Sequence, residues 1–256
     1  MSLLQKKIRI GLLSDLHVNG KEELDLLAEI MRFFALQELD LVVELGDRLQ
    51  DKSAGADLEQ TAKIRQVLTK PGLPVLHLHG NHDLRFAPKD ALNEVLAKEH
   101  GYERYFVNDY QIVLLDSNDP SPGLISPEQS AWLKAAIKAD FDSIIFSHYP
   151  LAPIEVEEHP YFYQHREKSF ILNYEDIKDA VSFEKGVIAV YQGHLHWLKQ
   201  RKINGVPFTW LPSVRKSFDG GFPAGGFCIA EARGRKVEEE HFKIVEEGSR
   251  RQFVKI

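Results

Sequence analysis

The sequence predicts an α/β protein in which two mixed β-sheets pack face to face with helices outside. Three observations lead there. Five apolar runs each end in polar side chains: 8–17 (IRIGLLSDLH), 39–47 (LDLVVELGD), 75–83 (VLHLHGNHD), 143–150 (SIIFSHYP) and 187–196 (VIAVYQGHLH). In the first half of the chain these runs alternate with helical patterns, the signature of strands joined by helices. The last quarter is a series of short β runs separated by turn residues.

Residues 8–14 read as a buried strand. Residues 21–38 carry Leu24, Leu27, Ile30, Met31 and Phe34 at the spacing of one helix face. A strand at 39–45 and a helix at 57–68, with Ile64, Val67 and Leu68 inward, come next, and Pro71-Gly72 stops the helix. The strand 73–78 runs into Gly80-Asn81-His82-Asp83, and a helix at 88–100 buries Leu92, Val95 and Leu96 before a stop at Gly101. Asn108-Asp109 is a two-residue hairpin turn. Ser126-Pro127-Glu128-Gln129 combines a capping Ser, Pro at the first helical position and Gln three residues on, so a helix begins there.

A strand at 143–147 leads into residues 150–170, which break the rhythm. That stretch holds three prolines, Tyr161, Phe162, Tyr163, His159, His165 and Arg166, and reads as a cap or lid loop over a site. A short helix at 174–183, a strand at 187–191 and hairpins around Asn204-Gly205 and Arg233-Gly234 complete the chain. Ligand-bearing strands come from both halves and must meet, so 1–256 is expected to be a single domain.

With 256 residues, 43% hydrophobic and 27% charged, the chain has the makeup of a soluble globular protein. A net charge of −6 argues against extended nucleic-acid binding, which usually needs a basic surface. The single cysteine, Cys228, excludes an internal disulfide and fits a reducing compartment; its apolar neighbours mark a buried structural thiol. No stretch approaches the roughly 20 apolar residues of a membrane span. The opening MSLLQKK lacks a signal-peptide core. The expectation is a cytoplasmic protein with no membrane partner.

The strand ends supply Asp15, His17, Asp47, Asn81, His82, His148, His194 and His196. Asp15 and His17 sit two residues apart just past a strand, so extended backbone would point both to one side, and His194 and His196 repeat that spacing. Asp47 follows Gly46, which lets the chain bend, and its two oxygens suit a bridge between cations about 3.5–4 Å apart. Asn81 adds a neutral oxygen, and His148 completes the second metal's set. Two dications against two ionised aspartates leave a net positive centre, which favours a phosphate ester and lowers the pKa of a bridging water. This donor set suits Mn, Fe, Zn or Co as divalent or mixed-valence ions.

The ordered series Asp15-x-His17, Gly46-Asp47, Gly80-Asn81-His82-Asp83, His148 and Gly193-His194-x-His196 resembles the calcineurin-like metallophosphoesterases. Within them the chain looks most like the class III cyclic-nucleotide phosphodiesterase and glycerophosphodiesterase group, a likeness extended by Leu115-Asp116-Ser117 and Leu211-Pro212-Ser213. The resemblance implies a four-layer αββα sandwich, the metallo-dependent phosphatase fold. It implies a first metal on Asp15, His17, Asp47 and His196, and a second on Asp47, Asn81, His148 and His194. His82 would contact the phosphate and protonate the leaving oxygen, with Asp83 tuning or orienting its imidazole. The implied reaction is phosphate-ester hydrolysis by metal-activated hydroxide, with a phosphodiester preferred. A phosphomonoesterase, a nucleotide pyrophosphatase and a non-catalytic metal-binding scaffold are the alternatives. Partners would be a small-molecule phosphate ester or nucleotide and a second copy of the chain in a homodimer.

Some residues depart from the family pattern. Arg48 stands where an aliphatic residue is usual; it is read as turning outward, pairing with Asp51 or reaching a substrate phosphate. His77 and His79 share one strand face, as packed core residues or as partners of the ligands, the packed role being favoured. With Asn81 and His82, the substrate-binding candidates are Arg48, His165 and Arg166.

Overall fold

The computed structural model describes residues 6–138, 140–215, 225–247 and 250–256; the N-terminal stretch read above for a signal peptide lies largely outside them. In chain order the strands and helices are β1 (Lys7–Leu13), α1 (Lys21–Ala35), β2 (Leu41–Glu44), α2 (Ala54–Thr69), β3 (Val75–His77), α3 (Lys89–Leu96), β4 (Glu103–Val107) and β5 (Tyr110–Leu115). There follow β6 (Asn118–Asp119), β7 (Leu124–Ile125), α4 (Pro127–Ala136), β8 (Asp142–Ser147) and β9 (Val187–Gln192). The last are β10 (Lys199–Ile203), β11 (Val206–Trp210), β12 (Gly226–Arg233), β13 (Lys236–Glu247) and β14 (Arg250–Lys255).

Two six-stranded mixed sheets result, in the orders β14-β13-β12-β1-β2-β3 and β10-β11-β9-β8-β5-β4. Each contains a parallel block: β1 pairs with β2 and β2 with β3 at one end of the first, β5 with β8 and β8 with β9 in the second. Parallel neighbours point their carboxyl ends the same way, where open α/β sheets place their sites. Every predicted ligand lies beyond the carboxyl end of β1, β2, β3, β8 or β9.

Side-chain alternation builds the layers. Ile8, Ile10, Leu12, Leu41 and Val43 face inward against Ile112, Leu114, Ile144, Phe146 and Tyr191 of the other sheet. Leu13 and Val42 point outward and pack with Leu27, Ile30 and Phe34 of α1 and Ile64 of α2. On the far side, Val113, Ile145 and Val190 pack against Leu133 of α4 and residues of the 150–181 stretch. Each fully buried Leu, Ile or Phe contributes about 1.5–3 kcal/mol of transfer free energy, so the sandwich is held from both sheet faces.

The elements depart from expectation in a few places. α3 stops at Leu96 because Ala97, not Gly101, takes the left-handed cap at φ 56°. α4 begins as expected, with Ser126 Oγ accepting from the Gln129 N–H at 3.2 Å. Residues 174–183 form short 3-10 turns rather than one helix. The pair β6–β7 and the strand β14 were not foreseen. β14 is held by tertiary partners: Phe253 meets Phe33 and Phe227 edge-on, and Arg251 pairs with Glu29 and Glu246.

Candidate metal centre

The loops after β1, β2, β3, β8 and β9 are laced together by their backbones. Asp15 N–H donates to Gly46 O, His17 N–H to Asp47 O and Gly193 N–H to His148 O, each at 3.0 Å. Glycine permits the close approach. A Cβ on Gly46, where φ is +96°, would lie 2.4 Å from the Gly80 nitrogen, and one on Gly193 would lie 2.0 Å from Ser14 Oγ.

Asp15, His17, Asp47, His194 and His196 all have positive φ, between 41° and 69°. The sequence reading expected extended backbone to aim the Asp-x-His and His-x-His pairs. The structure instead uses left-handed kinks, which are disfavoured for these residues and persist where surrounding contacts over-determine them. Such strain concentrates at functional sites. The remaining positive-φ non-glycines of the described residues sit in turns and a helix cap, apart from Glu38 in the α1–β2 connection.

Two groups of donor atoms form: Asp15, His17 and His196, and Asp47, His148 and His194, each within 4.8 Å. In the first, His17 Nε2 and His196 Nε2 face each other at 3.1 Å, and His196 Nε2 lies 3.1 Å from Asp15 Oδ1. That buried oxygen has no hydrogen-bond partner among the described residues. Its other oxygen is satisfied by Ser14 Oγ and the His194 N–H. An oxygen and two ring nitrogens that converge in this way fit ligands around one cation.

Asp47 joins the groups. Its Oδ1 accepts from the His82 N–H at 2.8 Å, while Oδ2 lies 3.4 Å from His148 Nε2 and 3.9 Å from His17 Nε2. His148 Nδ1 is 2.9 Å from Leu45 O, so Nδ1 is assigned the proton and Nε2 faces Asp47 and, at 3.3 Å, Asn81 Oδ1. His194 Nε2 lies 2.8 Å from Lys168 O, which leaves Nδ1 as its lone-pair donor. Burial is the main influence holding His17 and His194 down to about 3, so both are neutral imidazoles, the form that binds metal. Burial opposes ionisation of Asp15, but His196 outweighs it and brings the carboxyl to about 2. Burial opposes the charged form of His148, but Asp47 and Asp15 outweigh it and raise its pKa to about 9, so metal binding there would displace a proton. In donor type these residues fit a dinuclear centre.

His82 lines the cavity in front of the groups, with Nδ1 2.6 Å from Asp51 Oδ1. Burial works against its charged form, yet Asp47 and Asp51 outweigh it and raise the pKa above the ordinary value. Arg85 holds the other Asp51 oxygen at 3.1 Å. This corrects the expected role of Asp83. Its carboxylate turns away from the imidazole and accepts from the N–H groups of Asp47, Arg48 and Gly80 at 2.9, 3.0 and 2.8 Å. Asp83 braces the two ligand loops, and Asp51 orients His82.

Arg48 is also corrected. It is fully buried rather than outward, and reaches neither Asp51 nor the cavity. Its guanidinium pairs with Glu44 at 3.1 Å and Asp83 at 3.3 Å and donates to Leu78 O. Glu44 also takes the Gly46 N–H and faces His77 Nδ1 at 3.1 Å, while His79 pairs with Asn93 at 2.7 Å. His77 and His79 are thus packed beneath the ligand loops.

A cavity of about 850 Å³ opens over the donor atoms. His17, Asp47, Asn81, His82, His194 and His196 lie on it, walled by Tyr149, Tyr161, Phe162 and Phe170 from the stretch that follows β8. His165 and Arg166 do not line it: His165 packs on Tyr161 at 4.7 Å, and Arg166 pairs with Glu157 on the surface at 3.1 Å. The basic side chains on the cavity are Lys168 and Arg215. Sequence reasoning missed Asp51 and Arg215. Arg215 follows the Leu211-Pro212-Ser213 motif closely, a signal that could have drawn attention to it.

Comparison with known proteins agrees with this geometry. A dimetal phosphatase from Danio rerio superposes with a TM-score of 0.70 at 16% identity, covering 91% of this chain and 98% of that one. The anchor GAP50 of the Plasmodium inner membrane complex gives 0.67 at 14%, covering 98% and 90%. A purple acid phosphatase from yellow lupin seeds gives 0.63 at 14%, covering 93% of this chain and 52% of that one. At such identities the likeness is one of fold. No curated protein sequence matches significantly. The family profile of the calcineurin-like phosphoesterases matches residues 8–198, a span from β1 to just beyond His196. The chain belongs to the calcineurin-like phosphoesterase family.

Proposed function

We propose that the protein is a dinuclear metal-dependent phosphoesterase that prefers a small phosphodiester. The observation that carries this reading is the meeting of two donor groups at Asp47 Oδ2 beneath one cavity. Asp15, His17, Asp47 and His196 would hold one cation, and Asp47, Asn81, His148 and His194 the other. When bound, the pair would polarise phosphoryl oxygens and make water nucleophilic near neutral pH.

The chain's own residues do the rest. His82, whose charged form Asp47 and Asp51 favour against burial, hands its proton to the departing ester oxygen. Asn81 and His82 meet the phosphoryl group. Tyr149, Tyr161, Phe162 and Phe170 hold an apolar or aromatic ester substituent and exclude water. Room for a second substituent favours a diester, in line with the resemblance to the phosphodiesterase group.

Arg215 and Lys168 on the cavity favour a second reading, a phosphomonoesterase or nucleotide pyrophosphatase, because terminal phosphate charge needs cations. A non-catalytic metal-binding scaffold is the third reading, and one protein of this fold is described as an anchor. Hydrolysis of a bis-aryl phosphate diester and of the matching monoester, with Mn²⁺ and after chelation, separates them. Metal-dependent preference for the diester is expected. Preference for the monoester would replace the first reading by the second, and no turnover of either by the metal-loaded protein would favour the anchor.

A further inference from the structure

A third group of metal-binding side chains shares no residue with the dimetal groups. Cys228 on β12 and His241 on β13 are register partners, and Glu239 lies two residues from His241 on the same face. Their donor atoms all lie within 4.8 Å of one another. A four-coordinate ion with bonds of about 2.0–2.3 Å holds its donors about 3.3–3.8 Å apart, so binding would draw the three side chains together. The group faces the edge of the second sheet, where Glu239 accepts from Thr209 Oγ1 at 2.8 Å and Gln200 Nε2 at 2.7 Å.

Two features mark the group. The Glu239 side chain is 9% exposed, yet no Lys or Arg pairs with it among the described residues; its partners are Thr209, Gln200 and His241. The one partner that can carry positive charge among the described residues is His241, at 2.8 Å. The second feature is a set of unsatisfied atoms. Tyr191, fully buried on β9, sets its hydroxyl next to Glu239 but makes no hydrogen bond of normal geometry among the described residues. His241 Nε2 lies 2.8 Å from Glu239, and its Nδ1 is buried with no partner among the described residues.

We propose that Cys228, Glu239 and His241 bind a third metal ion, a structural Zn²⁺ that ties β12 and β13 to the β9–β11 edge of the other sheet. Thiolate, imidazole and carboxylate together favour zinc over hard cations. The Tyr191 hydroxyl is the polar group placed to face the fourth position. Burial and the Glu239 carboxylate hold the Cys228 thiol well above its ordinary pKa, so ion binding releases the thiol proton to solvent. A surface cavity of about 450 Å³, lined in part by Gln200, Thr209, Glu239 and His241, provides the entry path.

The chain's single cysteine makes the test selective. Full-length protein stripped of metal is titrated with Co²⁺ and followed in the near ultraviolet, where thiolate–Co²⁺ charge transfer absorbs strongly and the His, Asp and Asn ligands of the other groups do not. The expected result is a charge-transfer band that saturates, is displaced by Zn²⁺ and is absent from Cys228→Ala. In His241→Gln, apparent Co²⁺ affinity measured from the band should fall by about tenfold or more, the range for loss of a metal-supporting group. Zinc content of Cys228→Ala purified from zinc-supplemented cultures should be one ion per chain below wild type. No band with excess Co²⁺, or unchanged affinity in His241→Gln, would overturn the site and leave Glu239 and His241 as an ordinary hydrogen-bonded pair. Because the readout is a cysteine-specific band, it stands or falls separately from phosphoesterase activity.

Discussion

The candidate metal centre and the Arg48 cluster share the loops after β2 and β3 and treat their polar atoms in opposite ways. On the cavity side, Asp15 Oδ1 lies 3.1 Å from His196 Nε2, and the ring nitrogens of His17 and His196 face each other. On the inner side, Arg48, Glu44, Asp83, His77 and His79 pair with one another and with backbone. One arrangement is incomplete without a cation. The other is complete, and it holds the first in place: Asp83 takes the N–H of Asp47, and Glu44 takes that of Gly46. The contrast shows how unfavourable ligand geometry is kept. Left-handed aspartate and histidine positions persist because a buried charge network pins the loop that carries Asp47.

Asp47→Ala should break the cavity side alone. With its bridging oxygen gone, metal content should fall by at least one ion per chain and turnover by about 10³-fold or more, while the urea midpoint of the metal-stripped protein changes little. Full dinuclear occupancy in this variant, read by elemental analysis, would refute the bridge. His82→Ala should keep its metals and lose about 10²–10⁴-fold in turnover. Asp51→Asn should lose about 10–100-fold, as expected for an orienting partner, and Asp83→Asn should act through stability instead. If Asp83→Asn reproduced the His82→Ala kinetics with unchanged stability, the assignment of Asp51 would be wrong.

Arg48→Met breaks the inner side. It leaves Glu44 and Asp83 buried without their cation, and a cost of about 3–5 kcal/mol is expected in chemical denaturation. A loss below about 1 kcal/mol would mean that the cluster does not pin the loops. The pH dependence is the smallest effect. Burial raises the Glu44 pKa, but Arg48 and His77 outweigh it and bring the folded-state value below the ordinary one. A carboxylate with a depressed folded pKa contributes stability that is present above its unfolded pKa and is lost as pH falls through the folded value. Stability should therefore hold across neutral pH and decline on the acid side, and Glu44→Gln should flatten part of that decline. An identical acid limb in Glu44→Gln would assign it to other carboxylates.

Much of this was legible in the chain. The strand pattern and the polar residues at strand ends place Asp15, His17, Asp47, Asn81, His148, His194 and His196 correctly at the carboxyl ends of parallel strands, because period-two alternation and turn residues are local signals. Arg48 and Asp83 were misread for a physical reason. A charged residue beside a ligand motif reads as functional, and its burial depends on Glu44, which lies in the preceding strand and looks like an ordinary strand residue. His165 and Arg166 were candidates because they lie in the aromatic loop, yet loop composition does not say which side faces the cavity. β14 was missed because its anchors, Phe33, Phe227 and Glu29, are remote in sequence.

By itself, then, the sequence determined the architecture, the family and the donor inventory, since each follows from local periodicity and ordered motifs. Tertiary structure alone decided how those donors are used. It decided the left-handed backbone that aims them, the partner of each imidazole, the choice of Asp51 over Asp83 for His82, and the placing of Arg215 rather than Arg166 on the cavity. These depend on which atoms meet across loops far apart in sequence, and pairing between buried polar groups is settled only when the sheets pack and water is excluded.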